Sequence, residues 1–528
     1  MTETCEETVP QINNSSIEVS QESSSRKERI RENTKEKRDI QYLGNGPIFK
    51  VLIYQSYNNL IGFLIMTLYM IVGSIFIGQY LGEPGLASSS VGTSLELLVC
   101  VIIIQSLSVG AISLIGPSLG QNKIEDARNY ATQFFMLVVI FNILMPTIIL
   151  PLKDYIARGL GATTEPVFTY LSNYMWVMYS VGVLAYTING ALLPLLRQEN
   201  KVKEAMICLI VSSLLNIILD AFLFNVFLDK LKMQCAAISA VISQLVIDVW
   251  ILFDFFGGVK STVIRFDKKY IKLRWFFVST TFKQFVPAAF NAIPIIIAQA
   301  LTSSQISKYA STRTTQYQAI WGIYLRLIQL MVQPALGVYF GFLAILSYNI
   351  GQDKNRRIQK LILYADWLTL LILIVVQILI MVLMPYLIKM FDADQNFVND
   401  ATPLLRMCFG GMFTLCSIMF ASGIFQMRKK VMIATSFQIY KLIVNVTAIY
   451  VIPIYFDIKW IFLAPTITEI FGFVVSQIVI WHQSYHFKKL ADAQDNIDFN
   501  SANISCDTLE VGQSDMSTVC AISIINQE

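Results

Sequence analysis

Two residues four apart, Asn216 and Asp220 in Leu214-Leu215-Asn216-Ile217-Ile218-Leu219-Asp220, set an amide and a carboxylate on one helical face. The surrounding segment is apolar enough to lie in lipid, where an Asp at a helix centre costs about 2.5 to 3.5 kcal/mol. Such a residue faces a bundle interior, a partner or a wet cavity, and the chemistry open to it is to take up and release a cation or proton. A plainer reading puts Asp220 near the outer helix end, packing the bundle or hydrated by bulk water. Four more ionisable residues stand in apolar surroundings: Glu96, Arg326, Lys441 and Glu469. Glu96 can join the same chemistry or simply hydrogen-bond neighbours such as Ser89 or Thr93. Glu469 can serve a second site, while Arg326 and Lys441 read as cations that pair with carbonyls or snorkel. Asp366 and Arg406 read as boundary residues at helix ends.

The elements that position these residues follow from composition. The chain has 528 residues, 55% hydrophobic and 14% charged, with mean hydropathy +0.56. That is too apolar for a soluble globule, where about 25% charged is usual, and it predicts a polytopic membrane protein. The net charge of +4 is small and its basic residues do not cluster, so no nucleic-acid partner is expected. The eight cysteines lie in tails or apolar segments and imply no disulfide framework. A span needs about 20 mainly apolar residues, and on that basis twelve all-helical spans are expected near 50–80, 87–113, 128–152, 166–196, 204–228, 234–256, 281–305, 317–348, 359–387, 402–427, 431–454 and 459–483.

Polar tails, expected to be disordered, occupy 1–47 and 486–528. Between them lie an N-lobe at 48–257 (spans 1–6), a linker at 258–280 and a C-lobe at 281–485 (spans 7–12). The even-numbered spans end at connections that carry 19 Lys and Arg, against 8 for the others. Because basic residues stay inside, both termini are expected in the cytoplasm, in the cell membrane. The basic 6–7 connection, with Arg265, Lys268, Lys269, Lys272 and Arg274 beside Trp275, Phe276 and Phe277, reads as an ordinary linker that can also touch anionic lipid head groups.

The two halves repeat. Gly120-Gln121 after span 2 matches Gly351-Gln352 after span 8 at an offset of 231; Arg197 falls on Arg428 at the same offset, and Asn216 on Asn445 once two residues are dropped. Each copy has six spans, so the copies enter the membrane in the same direction and are related by an axis along its normal, with the pathway between them. Where the second copy would carry the Asp it carries Ile449.

Leu215-Asn216-Ile217-Ile218-Leu219-Asp220 followed by Ala236-Ala237-Ile238 and Val241-Ile242-Ser243-Gln244, together with Gly337-Val338-Tyr339-Phe340-Gly341, Tyr348-Asn349-Ile350-Gly351, Arg357, Pro287 and Phe425-Gln426, resembles the multidrug and toxic compound extrusion (MATE) transporters, in their DinF-like branch. The resemblance covers about 48 to 485. It implies a V-shaped pair of six-helix lobes, working as a monomer, that exports small, often cationic and amphipathic organic compounds in exchange for protons or sodium, with no cofactor. It also assigns Asn216 and Asp220 to a cation site and aligns Tyr69 with a family tyrosine. Two positions depart from the pattern: Gly73 stands where the first span's acid is expected, and Ala240 replaces a threonine of span 6. A sodium ion wants several oxygen ligands, whereas one buried carboxylate can still carry a proton because burial disfavours its charged form. Protons are therefore the expected coupling ion. By depth, Glu96 can stand in for the missing acid. Trp176, Tyr186, Met331, Met381 and Met384 suit an adaptable cavity for flat substrates, or serve packing.

Other classes fit less well. No GxxxxGK[ST] run is present, so an ATP-driven pump would need a partner chain. The two histidines, His482 and His486, lack a catalytic set around them, which speaks against an enzyme. A flippase for a lipid-linked or polysaccharide precursor remains the alternative reading, and a channel is a third.

Overall fold

The computed structural model describes residues 38–96, 103–159, 165–256, 263–266, 268–290, 293–310, 313–391 and 394–507. Among them every regular element is a helix. Eleven helices are long and apolar enough to cross a membrane. In the N-lobe these are α1 (Ile48–Gly82), α2 (Ile103–Gly120), α3 (Ile124–Gly159), α4 (Glu165–Gln198), α5 (Val202–Val226) and α6 (Gln234–Phe253, its last turn reaching Phe255). In the C-lobe they are α8 (Gln316–Gly351), α9 (Asn355–Lys389), α10 (Gln395–Met427), α11 (Val431–Tyr455) and α12, which begins with a 3-10 turn at Ile458. Gly82, with φ +63, lets α1 turn over into the helical turns 83–96 that precede α2, because only a residue without Cβ takes that conformation cheaply.

The expected span at 281–305 is present as two shorter helices, α7a (Trp275–Ala289) and α7b (Ile293–Tyr309). Pro287 and Pro294 bracket the join. A proline lacks the N–H that would continue a helix but is accepted in a first turn, so one helix ends and another starts. α7a begins inside the expected 258–280 linker, because Phe277 is buried there and stacks on Tyr130 with ring centroids 5.8 Å apart. The tails need two corrections. Residues 38–45 are helical, and α12 continues to Asp507 rather than stopping near 485. Its extension is held by Arg356, which pairs with Asp492 at 2.9 Å and Asp495 at 2.7 Å. The remainder of both expected disordered tails, 1–37 and 508–528, lies outside the described residues.

The lobes meet along α1, α2, α7a and α8 at the end that carries both tail stems. Glycines permit the contact: a Cβ on Gly341 would stand 3.0 Å from Gln55 Cβ, and one on Gly110 would stand 2.7 Å from the Thr281 carbonyl. Polar groups then cross the seam. Ser347 of α8 donates to Gln198 of α4 at 2.9 Å, and the guanidinium of buried Arg197, held within the N-lobe by donating to Asn59 at 2.7 Å, reaches across to lie over Phe340. The 38–45 stem bridges the lobes, with the Asp39 carbonyl accepting from Asn200 at 2.9 Å, and the carbonyls of Leu43 and Gly44 accepting from Asn349 at 3.2 Å and Lys354 at 3.0 Å. Burial and the neighbouring Arg357 hold the Lys354 ammonium below the usual lysine range.

Candidate functional site

Asp220 and Asn216 face inward from α5, 3% and 4% exposed, while Ile218 between them is 63% exposed. The four-residue spacing does this directly, since i and i+4 share a face and i+2 lies opposite. Ser239 of α6 donates its hydroxyl to Asp220 Oδ1. With its amide turned so that both ends are satisfied, Asn216 donates to Asp220 Oδ2 at 3.2 Å and accepts from the Ala240 N–H at 3.1 Å. The carboxylate is therefore held by a hydroxyl and an amide, and no cation is paired with it among the described residues. Sequence reading singled out Ala240 for its lost hydroxyl; the structure supplies a hydroxyl from Ser239, one residue earlier.

α1 closes the site from the other side, held to α5 by stacking of Phe76 and Tyr80 on Phe224 and by a 2.6 Å hydrogen bond from Tyr80 to Asn225. Gly73 lies against Asp220, and a Cβ there would stand 3.5 Å from Oδ2. The position where an acid is missing thus adjoins the acid that remains. Tyr69, one turn away on α1, is close enough to feel the charges of both Glu96 and Asp220, and its side chain hydrogen-bonds to Tyr186 of α4.

Glu96 does not bond to Ser89; the Thr93 side chain lies outside the described residues. Its carboxylate accepts from Tyr174 at 2.8 Å and also bonds Tyr186. Tyr174 and Tyr186 are 12 residues apart, about 120° out of phase in an unbroken α-helix. The π-helical turn Met178–Gly182 inserts a residue and removes roughly 100° of that difference, so both tyrosines reach one acid. A hydrogen-bonded chain Tyr69, Tyr186, Glu96, Tyr174 results, with Asp220 near its Tyr69 end. Two buried groups escaped sequence reading: Tyr174, hidden by the π-turn, and Asp248 of α6, 1% exposed with neither carboxylate oxygen hydrogen-bonded. An acid inside the expected span 234–256 was the available signal for the second.

The other candidates lie elsewhere. Lys441 of α11 and Glu469 of α12 form a buried ion pair at 2.7 Å in the C-lobe. Arg326 is exposed and lies over Phe391, 5.6 Å from the ring centroid. Asp366 and Arg406 are not boundary residues: α9 and α10 start earlier than expected, at Asn355 and Gln395, so each stands about three turns inside its helix. Asp366 is buried and accepts from Gln477 at 3.0 and 3.1 Å. Of the proposed cavity residues, Met331 and Met384 are fully buried and Trp176 is 56% exposed on the outside of α4. No group of three or more metal-ligating side chains is found among the described residues.

The family model MatE matches residues 60–222 and 287–451, one segment in each half and more than half of the chain. The chain belongs to the MatE family of membrane transporters. Among curated relatives, the multidrug export protein MepA of Staphylococcus aureus (strain MSSA476) is 25% identical over 376 residues, covering 70% of this chain and 79% of MepA. MepA of Staphylococcus saprophyticus is 26% identical over the same shares. Among solved structures, a MATE in complex with MaL6 superimposes with a TM-score of 0.77 at 20% identity, over 85% of this chain and 99% of that one. A MOP superfamily transporter from Pyrococcus furiosus gives 0.76 at 21% identity, over 84% and 98%. These structures share the two-lobed fold. The transporter's two matched segments cover spans 1–5 and 7–11, in register with the internal repeat.

Proposed function

We propose that this transporter exports amphipathic organic compounds, cationic ones included, by exchange with protons carried on Asp220. The observation that supports this reading is that Asp220 is buried, has no cation beside it among the described residues, and faces a glycine and not a second acid at the adjoining position of α1. A sodium ion would find Asp220, Asn216 and Ser239 but lack the second carboxylate. A proton needs only one carboxylate, and the hydrogen-bonded group Tyr69, Tyr186, Glu96 and Tyr174 lies close enough for its charge and that of Asp220 to act on the same tyrosine. The export of multiple drugs named for the MepA relatives supports the substrate class. The basic bias of the connections supports a cytoplasmic position for the face with both tail stems, in a protein of the cell membrane. The sealed seam at that face then corresponds to a state open to the outside, working as a monomer.

The test is purified full-length protein in liposomes, with transport of a fluorescent cationic dye followed after imposing a pH gradient or a sodium gradient alone. Dye movement is expected with the pH gradient and not with sodium. The opposite pattern overturns proton coupling, and no movement under either, with transfer of a lipid-linked oligosaccharide instead, would favour the flippase reading.

A further inference from the structure

Arg406 is a cation in the wrong place for a helix that only packs. It stands 11 residues into α10, about 16 Å along the axis, beyond the polar opening Gln395-Asn396-Phe397-Val398-Asn399-Asp400, and its side chain is exposed. A charge at that depth needs a partner or a route to water. Among the described residues its hydrogen bond is a long one, 3.4 Å from Nη2 to the carbonyl of Met381 on α9. The reason lies four residues on: Pro385 has no N–H, so the Met381 carbonyl has no helical donor. One guanidinium donor is thereby engaged weakly, and the others are left over.

Those donors open onto a groove of about 650 Å3 between α9 and α10, at the face opposite the tail stems, lined by Pro385, Tyr386, Lys389, Gln395, Asn399 and Arg406 among others. Among the described residues two cations and two amides line it, and no carboxylate does. The nearest described acids are turned to other work: Asp394 caps α10 through the Asn396 N–H at 3.1 Å, and Asp400 accepts from Gln316 at 2.9 Å. Neither Lys389 nor Arg406 is in an ion pair among the described residues. The rim is what a bilayer interface favours, with Tyr386 69% and Met390 73% exposed beside Lys389.

We infer that this groove binds the phosphate of an anionic bilayer lipid, with Arg406 and Lys389 as its cationic ligands and Gln395 and Asn399 as further donors. The planar guanidinium suits a phosphate's two oxygens, and the open groove admits acyl chains alongside α9 and α10. A lipid is the fitting source because the groove faces the membrane and Arg406 lies below the polar end of its helix.

The test is native mass spectrometry of the full chain in detergent, titrated with dioleoylphosphatidylglycerol, dioleoylphosphatidylcholine or inorganic phosphate. The phosphatidylglycerol is expected to bind at least about fivefold more tightly than the phosphatidylcholine, and Lys389→Gln and Arg406→Gln each to weaken it about fivefold. Arg406→Lys, which keeps the charge but not the two-donor fork, should weaken binding less than Arg406→Gln, and Lys360→Gln, at the other end of α9, should change nothing. Should Arg406→Gln fail to fold, Lys389→Gln decides. Equal binding of the two lipids, full affinity in Lys389→Gln, or displacement of the lipid by millimolar inorganic phosphate would each overturn the inference.

Discussion

The N-lobe and the C-lobe descend from one repeated pattern yet treat a buried carboxylate in opposite ways. In the N-lobe Asp220 is held by a hydroxyl and an amide, with no cation in contact. In the C-lobe Glu469 is matched by Lys441 at 2.7 Å, while Ile449 occupies the position that corresponds to Asp220. A lone carboxylate held by neutral donors can exist charged or protonated, because its neighbours tolerate both states. A carboxylate bonded to a buried ammonium is kept charged, since losing the charge would strand the lysine. At these two places, then, the N-lobe holds a carboxylate whose neighbours tolerate either state, and the C-lobe holds an ion pair that ties α11 to α12.

The comparison breaks most decisively at Asp220. Asp220→Asn keeps the shape and removes the titration, so dye export driven by a pH gradient should fall to the leak rate while thermal unfolding in detergent is little changed. Export at the unmodified rate with the same pH dependence would return Asp220 to the role of a tolerated polar group. The complementary break is Lys441→Met, which strands Glu469 and should cost about 3 to 5 kcal/mol of stability, read as a lowered unfolding temperature. Adding Glu469→Leu should recover most of it, and a single variant as stable as the parent would remove the structural role assigned to the pair. Gly73→Asp sharpens the contrast: with its Cβ 3.5 Å from Asp220 Oδ2, the new acid completes a two-carboxylate site. Sodium-driven dye transport should then appear, and its absence would show that more than the second carboxylate is missing. A smaller effect is expected from Ser239→Ala, about 1 to 3 kcal/mol for the lost partner of a buried group, seen as a several-fold slower pH-driven rate. Tyr174→Phe should do least, about 0.5 to 1.5 kcal/mol for one hydrogen bond, and should shift the pH profile of transport more than its maximum.

Much of the fold was legible because lipid imposes it. Apolar runs of span length lie over single long helices at ten of the twelve expected spans; that at 87–113 meets α2 only from Ile103, with 97–102 outside the described residues, and that at 281–305 is broken. The glycine and arginine landmarks expose the repeat. The break in α7 was foreshadowed by Pro287 and Pro294, but a run of apolar residues around prolines reads equally as a kinked span. Helix ends were placed least well, as Arg406 and Asp366 show, since polar first turns look like loop until tertiary partners hold them.

Within the site the division is sharper. Spacing along the chain pairs Asn216 with Asp220, because four residues on an α-helix is a fixed rotation, and the family pattern marks Gly73 as its gap. Packing between helices is what brings Ser239 to Asp220, swings Tyr174 and Tyr186 onto Glu96 through a π-turn, and joins Lys441 to Glu469 across 28 residues. Those contacts cross between helices, where the rotation and depth of each helix come from packing against its neighbours and not from any spacing along the chain.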